Sequence, residues 1–127
     1  MSEPDAIAPD GSEIRFIIDV NHGTTRASLC EVRLAPGAIS KPVRHKTVEE
    51  IWYFTSGEGF VWRCPPGTES TTSQTIRVGP GDALVIPTGW SFQFKASASG
   101  ELRFLCYTSP PWPGAEEAVA IERGGLD

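Results

Sequence analysis

Apolar and polar residues alternate along most of this chain in short runs that end at glycine, proline or serine. Segment 26–34 places every second residue on the same face, and segment 14–20 is rich in β-branched and aromatic residues. A period of two is that of a half-buried β-strand, and the spacing typical of helices is almost absent. The pattern predicts strands over residues 14–20, 26–34, 50–55, 60–63, 74–78, 83–86, 91–96 and 102–108.

Short strands with a turn every few residues are typical of an all-β sandwich or barrel. Residues 64–73, with two prolines and a run of serine and threonine, are predicted to form a solvated loop. The tail, 109–127, contains three prolines within 109–113, and this stretch cannot be an interior strand because proline lacks the N–H donor that a sheet requires. We expect it to lie extended over the barrel, anchored by Trp112, with a helical turn over 116–121.

The chain is predicted to be one domain over residues 1–127, with residues 1–12 flexible. Its 127 residues include 13 glycines and 11 prolines, and 39% are hydrophobic, enough for one core. The formal net charge of -5 argues against nucleic acid and anionic membrane surfaces as partners. No apolar run approaches the roughly 20 residues of a membrane helix, and the N-terminal residues lack signal-peptide features, so we expect a cytoplasmic location.

The three cysteines are Cys30, Cys64 and Cys106, an odd number at wide spacing. Each lies in an apolar or aromatic run, which favours small buried residues over a disulfide framework.

Glycines and polar residues in the middle of the chain resemble two signatures of the cupin superfamily. Gly37, His45, Glu50 and Gly57 match the first signature, in which two histidines separated by one residue precede a glutamate. His45 is at the second histidine position. The second signature is matched by Gly81, Pro87 and Gly89. The resemblance implies a double-stranded β-helix, the jelly-roll barrel of cupins, with His45 and Glu50 pointing into it.

The metal ligands that the resemblance implies are incomplete in this sequence. Metal-binding cupins hold a divalent ion with three histidines and one glutamate, but Val43 and Phe92 occupy two of the histidine positions. His45 and Glu50 alone leave most of an ion's coordination shell to water. We therefore expect no tightly bound metal or other cofactor, only weak divalent metal binding through His45 and Glu50, unless His22 or a cysteine completes the set.

The remaining inward positions predict a small-molecule pocket. Period two puts Trp52 and Phe54 on the face of Glu50, and the resemblance places Val43, Phe92 and Phe94 around them. An aromatic cavity with one imidazole and one carboxylate suits a small ligand, and the carboxylate can orient the imidazole as a general base. His45 and Glu50 are the candidate catalytic residues, although a buried structural pair and core-filling aromatics explain the same residues.

Three functions remain open from the sequence. The first is an isomerase, epimerase or lyase that uses His45 as base and Glu50 as its orienting group or acid, without a tightly bound metal. The second is a cupin that binds or senses a ligand without converting it. The third is a metal-dependent dioxygenase or isomerase with a non-standard ligand set.

Two structural questions accompany these functions. The phase of the strands does not decide whether an arginine (Arg26, Arg33, Arg63 or Arg103) faces the cavity. Single-domain cupins pair through sheet edges, so a homodimer is expected through segment 14–20, the outward residues Ile51 and Tyr53, and the tail.

Overall fold

The computed structural model describes residues 3–67 and 73–127, which form two antiparallel β-sheets around a common core. The six-stranded sheet has the order β1-β2-β3-β10-β5-β8 and the five-stranded sheet the order β11-β4-β9-β6-β7. The strands are β1 (Ala6–Ile7), β2 (Glu13–Ile18), β3 (Ser28–Leu34), β4 (Val43–His45), β5 (Glu49–Ser56), β6 (Gly59–Cys64), β7 (Gln74–Val78), β8 (Ala83–Ile86), β9 (Ser91–Ala96), β10 (Leu102–Ser109) and β11 (Ala118–Ala120). The expected all-β double-stranded β-helix is confirmed.

The core is aromatic because the inward faces of central strands carry ring side chains. On β5, Trp52 and Phe54 are buried while Ile51 and Tyr53 are exposed, as the period of two predicts. The Trp52 ring stacks on Phe104 of β10 at a centroid distance of 4.4 Å. Each fully buried apolar side chain contributes about 1.5–3 kcal/mol relative to exposure, so these rings hold the sheets together.

Every strand predicted from the pattern is present, and most differences lie at element ends. The pattern predicts one strand over 14–20, but β2 ends at Ile18 because Asp19 caps a 3-10 helix over Val20–His22. The Asp19 carboxylate accepts the backbone N–H of Asn21 at 2.9 Å. The short strands β1, β4 and β11 have no counterpart in the predicted set.

Gly57 shows why the first signature closes with glycine. Its φ of +81° lies in the left-handed region, and a Cβ there would collide with the carbonyl of Glu101. Only glycine fits this turn between β5 and β6 without moving the backbone.

The tail contacts the barrel through Trp112, and its end differs from the predicted helical turn. The rings of Trp112 and Phe16 lie with their centroids 6.2 Å apart. The backbone N–H of Trp112 donates a hydrogen bond to Ser28 Oγ at 3.0 Å. In place of a helical turn over 116–121, the structure has a 3-10 helix over Ala115–Glu117 and then β11, which pairs with β4. β11 forms because β4 would otherwise be an edge strand with unpaired backbone N–H and C=O groups, and the tail pairs with these groups through backbone hydrogen bonds.

Two predictions, the solvated loop over 64–73 and the flexible segment over 1–12, concern stretches that lie partly outside the described residues. Residues 65–67 form a turn at the start of the predicted solvated loop, and 68–72 are not among the described residues. Residues 1–12 are predicted to be flexible, yet from residue 3 onward the structure places this segment against the barrel. Its strand β1 pairs with β2, and Asp10 and Ser12 are buried.

No helix in the described part of the chain combines the length and apolar character needed to cross a bilayer.

Candidate active site

A cavity of about 50 Å³ lies between the two sheets, and its polar residues gather around His45. Its wall is predominantly apolar, formed by side chains of the core together with residues of the N-terminal segment and of the tail. Both predicted catalytic residues, His45 and Glu50, line it.

His45 ends β4 with its side chain turned inward and only 7% of the residue exposed. The imidazole stacks on Phe92 at a centroid distance of 5.3 Å and an interplanar angle of 9°. Its Nε2 lies 3.3 Å from Oε2 of Glu50, and its Nδ1 lies 3.8 Å from Oε2 of Glu117. Nδ1 is buried and has no hydrogen-bond partner among the residues that the structure describes. The ring is thus held between two carboxylates and one phenyl face.

Glu50 is brought inward by the same alternation that buries Trp52. Its Oε1 accepts the indole N–H of Trp52 at 2.8 Å, which leaves Oε2 facing His45. Burial raises the pKa of Glu50 above its ordinary value, although the charge of His45 and the hydrogen bond from Trp52 act in the opposite direction. Glu50 therefore keeps a proton to higher pH than an exposed glutamate does.

Glu117 reaches the site from the 3-10 helix of the tail. Its carboxylate accepts the backbone N–H groups of Thr47 and Val48 at 2.6 and 2.9 Å, and the hydroxyl of Thr47 at 2.8 Å. Burial would raise the pKa of Glu117, but these hydrogen bonds outweigh it and leave the pKa below its ordinary value. Glu117 thus stays ionised while it fixes the turn between His45 and Glu50.

A third carboxylate, Asp10, lines the same cavity from the N-terminal segment. Its Oδ1 accepts the backbone N–H of Ser12 at 2.9 Å and the hydroxyl of Ser12 at 2.6 Å. Burial raises the pKa of Asp10, against the lowering effect of those two bonds and of the charge on His45. Three carboxyl groups therefore surround one imidazole.

All but one of the predicted pocket residues line the cavity. Val43, Trp52, Phe92 and Phe94 line the cavity. Phe54 is predicted to line it as well, but it is fully buried in the core beside Phe104, with ring centroids 4.9 Å apart, and does not reach the cavity. Phe54 lies two residues further along β5 than Trp52, where its ring packs against the rings of Trp52 and Phe104.

Six polar or nucleophilic residues at this site were not predicted from the sequence. Five of them line the cavity (Asp10, Ser12, Cys30, Cys106 and Thr108), and Glu117 lies beside it, next to His45. Asp10 and Glu117 lie in segments predicted to be a flexible end and a covering tail. Cys30 lies on β3 and Cys106 on β10. The alternation of β3, which puts Cys30 on the face of buried Val32, carried the signal for that cysteine.

The residues present do not fit the metal cage of metal-binding cupins. Within residues 3–67 and 73–127 no three histidine, cysteine, aspartate or glutamate side chains are grouped closely enough to hold an ion. His22 does not complete the set: its side chain is 53% exposed and its Nδ1 accepts the backbone N–H of Asp19 at 3.1 Å. No arginine or lysine of the described chain lines the cavity.

The two facing antiparallel sheets, with a cavity and a buried His–Glu pair between them, define a small jelly-roll protein. A sequence model of the Cupin family matches residues 2–113, and the chain belongs to that family.

One curated relative supports the assignment at the sequence level. The uncharacterized protein MJ1618 of Methanocaldococcus jannaschii is 28% identical over 107 residues, which cover 84% of this chain and 79% of the relative.

Solved structures share the fold at lower identity. The polyketide cyclase RemF from Streptomyces resistomycificus superposes with a TM-score of 0.70 at 24% identity, covering 97% of this chain and 78% of that one. KdgF from Halomonas sp. gives 0.68 at 20% identity, covering 88% and 89%. Oxalate decarboxylase from Bacillus subtilis gives 0.74 at 22% identity, covering 87% of this chain and 28% of that one. These likenesses concern the fold alone.

Proposed function

We propose that this cupin is an acid–base enzyme of the isomerase, epimerase or lyase type, acting on a small molecule without a tightly bound metal. His45 is the base, and Glu50 orients it and exchanges a proton with it. The observation that carries the proposal is the 3.3 Å approach of His45 Nε2 to Glu50 Oε2 in the wall of a predominantly apolar cavity.

The geometry around His45 supports a proton-transfer role. Stacking on Phe92 fixes the plane of the imidazole, and the Trp52 hydrogen bond holds the Glu50 carboxyl in position. A base whose orientation is fixed in advance loses little entropy when it takes a proton from a substrate carbon. In the reaction, His45 removes the proton from carbon, and His45 or Glu50 returns one to the neighbouring atom. The raised pKa of Glu50, caused by its burial, suits it to carry that proton at higher pH than an exposed glutamate does.

The cavity restricts the substrate to a compact, uncharged reacting group. Its volume of about 50 Å³ equals the space of about four water-sized groups. The ionised Glu117 carboxylate beside His45 would repel an anion, and no arginine or lysine of the described residues lines the cavity to neutralise one. A small ketone or aldehyde with an acidic C–H bond meets these requirements. The structural likeness to a polyketide cyclase is compatible with carbonyl chemistry.

Hydrogen–deuterium exchange at carbon tests this proposal on simple ketones. A panel of compact neutral ketones, including hydroxyacetone and cyclopentanone, is incubated with the protein in D2O and followed by NMR. We expect exchange next to the carbonyl of at least one ketone, and a loss of roughly 100-fold or more in His45→Gln, the usual size of a general-base contribution. His22→Gln, at the exposed histidine, is the matched control and keeps the wild-type rate.

The alternatives give other results in the same experiment. A ketone that binds but never exchanges favours the non-catalytic, ligand-binding function. Exchange that survives His45→Gln excludes His45 as the base. Metal analysis of untagged protein purified without added ions tests the metal-dependent alternative, which requires more than about a tenth of an equivalent of a transition metal.

We also propose that the protein pairs as a homodimer through the outer face of the six-stranded sheet. Tyr107, Ile51 and Val85 form a row across β10, β5 and β8, and each is more than 40% exposed. A contiguous apolar row on a sheet face supports association. The solution mass at micromolar concentration tests this part of the proposal.

A further inference from the structure

Two cysteines stand directly opposite each other in the wall of the cavity. Cys30 of β3 and Cys106 of β10 are register partners in the antiparallel pair of strands. Both are free thiols, and both line the cavity that holds His45 and Glu50. Opposed residues of antiparallel strands have Cα atoms about 4.5–5.5 Å apart, within the roughly 4.4–6.8 Å that a disulfide spans. The two sulfurs can therefore join without a large backbone movement.

The two thiols differ in access. Cys30 is partly exposed and also lines a second cavity of about 210 Å³ on the outside of the sheet, beside Trp112. Cys106 is only 3% exposed and faces the Glu50 carboxyl and the Cys30 thiol. Burial raises the pKa of Cys106, which keeps this thiol protonated and unreactive until a partner sulfur is activated beside it. A small molecule entering from the outer cavity meets Cys30 first.

We propose that Cys30 and Cys106 are a peroxide-reactive pair that forms a reversible disulfide in the cavity wall. The Cys30 sulfur attacks one oxygen of a hydroperoxide, the O–O bond breaks, and Cys30 becomes a sulfenic acid while the leaving oxygen departs as water or an alcohol. The Cys106 sulfur then displaces hydroxide from the sulfenic sulfur, and the S–S bond forms. The Cys106 proton, taken up by the adjacent Glu50 carboxylate, reaches that hydroxide to give water. Two thiols lose two electrons, and the peroxide gains them.

The disulfide would change the candidate active site. Cys106 no longer has a proton to share with Glu50 once its sulfur is bonded to Cys30. The bond also links two neighbouring strands of the cavity wall. Oxidation thereby acts on the residues that surround His45, yet it can be measured through the thiols alone. The test is independent of the proposed acid–base function.

Peroxide titration of the full chain tests the proposal. The reduced protein is treated with hydrogen peroxide, its thiols are counted under denaturing conditions, and its peptides are mapped by mass spectrometry. We expect the count to fall from three to one per chain, with an intact mass lower by two hydrogens and a peptide linking Cys30 to Cys106. Dithiothreitol restores all three thiols.

Two variants sharpen the result. Cys64 lies on β6 of the other sheet, so Cys64→Ser is the control and forms the same linked peptide. Cys106→Ser removes the resolving thiol, so Cys30 gains oxygen instead of losing hydrogen. If the wild-type protein retains three thiols, or if its disulfide joins Cys64 or two chains, the proposal is wrong, and this outcome does not depend on how the variants fold.

Discussion

Glu117 faces the Nδ1 edge of the His45 ring, with its Oε2 3.8 Å from that nitrogen, while Glu50 faces the Nε2 edge. Glu117 belongs to the tail, and its carboxylate also accepts both backbone N–H groups of Thr47 and Val48. One side chain therefore fixes the turn that separates the two candidate catalytic residues and contributes a negative charge to their surroundings.

Removal of the Glu117 carboxylate should destabilise the protein. Glu117→Ala leaves the N–H groups of Thr47 and Val48 without acceptors, and we expect the free energy of unfolding to fall by about 1–3 kcal/mol. Glu117→Gln, which keeps one acceptor oxygen, should lose less. Urea unfolding measures both changes, and Glu116→Ala, at the exposed neighbouring position, is the control. An unchanged midpoint in Glu117→Ala would show that the tail does not hold the turn.

The pH dependence of the Glu117 contribution has a definite sign. The folded protein lowers the pKa of Glu117, so the stabilisation is complete above the unfolded pKa of about 4.3 and is lost as pH falls through the lower folded value. The difference in unfolding free energy between wild type and Glu117→Gln should therefore shrink in acid. A difference that stays constant from neutral to acidic pH contradicts this account.

Glu50 should show the opposite dependence. Its pKa is raised by folding, so the folded state binds more protons than the unfolded state, and the stability of the wild-type protein decreases as pH rises from the unfolded pKa towards the folded one. Glu50→Gln lacks this titration, and its stability relative to wild type should increase over that range. Glu49→Gln, at the exposed neighbouring residue, should follow the wild-type curve. Unfolding curves at several pH values measure the trend.

Restoration of the missing histidines should create a metal site. Val43 and Phe92 are register partners on β4 and β9, and Phe92 stacks on His45. The double variant Val43→His/Phe92→His therefore places three imidazoles beside Glu50, a complete set of the kind that binds divalent transition metals. We expect Co²⁺ affinity at least ten-fold above that of wild type, read by absorbance or calorimetry, with Phe92→His alone in between. Equal affinities would mean that these positions do not converge on one point.

The proposed dimer depends on the outer face of β5. Ile51→Lys puts a charge in the middle of the apolar row and should convert the dimer to a monomer, as measured by light scattering at micromolar concentration. Phe60→Lys is the matched control, because Phe60 is similarly exposed, at 44%, but lies on the other sheet. A monomeric wild-type protein, or a dimer lost equally in both variants, contradicts the proposed interface.

The sequence predicted the barrel well because its local signals agree with its global fold. The alternation on β5 placed Trp52 and Glu50 inward, and Gly57 marked a turn that only glycine fits. The cavity was predicted less completely, since Asp10 and Glu117 come from segments without periodicity. Glu117 is placed by hydrogen bonds to Thr47, a contact between residues 70 positions apart that forms only after the chain has folded. The bonds between Asp10 and Ser12 are local, but they do not show that this turn packs against the cavity. For Phe54, the alternation correctly predicts an inward-facing side chain. It does not predict that the ring packs on Phe104 in the core instead of lining the cavity, because that contact joins two distant strands.

The tail gives this small barrel an order of assembly. Strands β2 to β10 contain the aromatic wall, the two cysteines, His45 and Glu50, and all of them precede Glu117 along the chain. Folding of strands β2 to β10 can therefore complete the apolar wall of the cavity before the tail docks and brings its carboxylate to His45 Nδ1. A protease cut in the proline-rich stretch between β10 and the 3-10 helix would separate that carboxylate and β11 from strands β1 to β10, which remain one continuous chain. The polar surroundings of His45 Nδ1 thus depend on a short C-terminal segment that a single proline-rich stretch joins to the other strands.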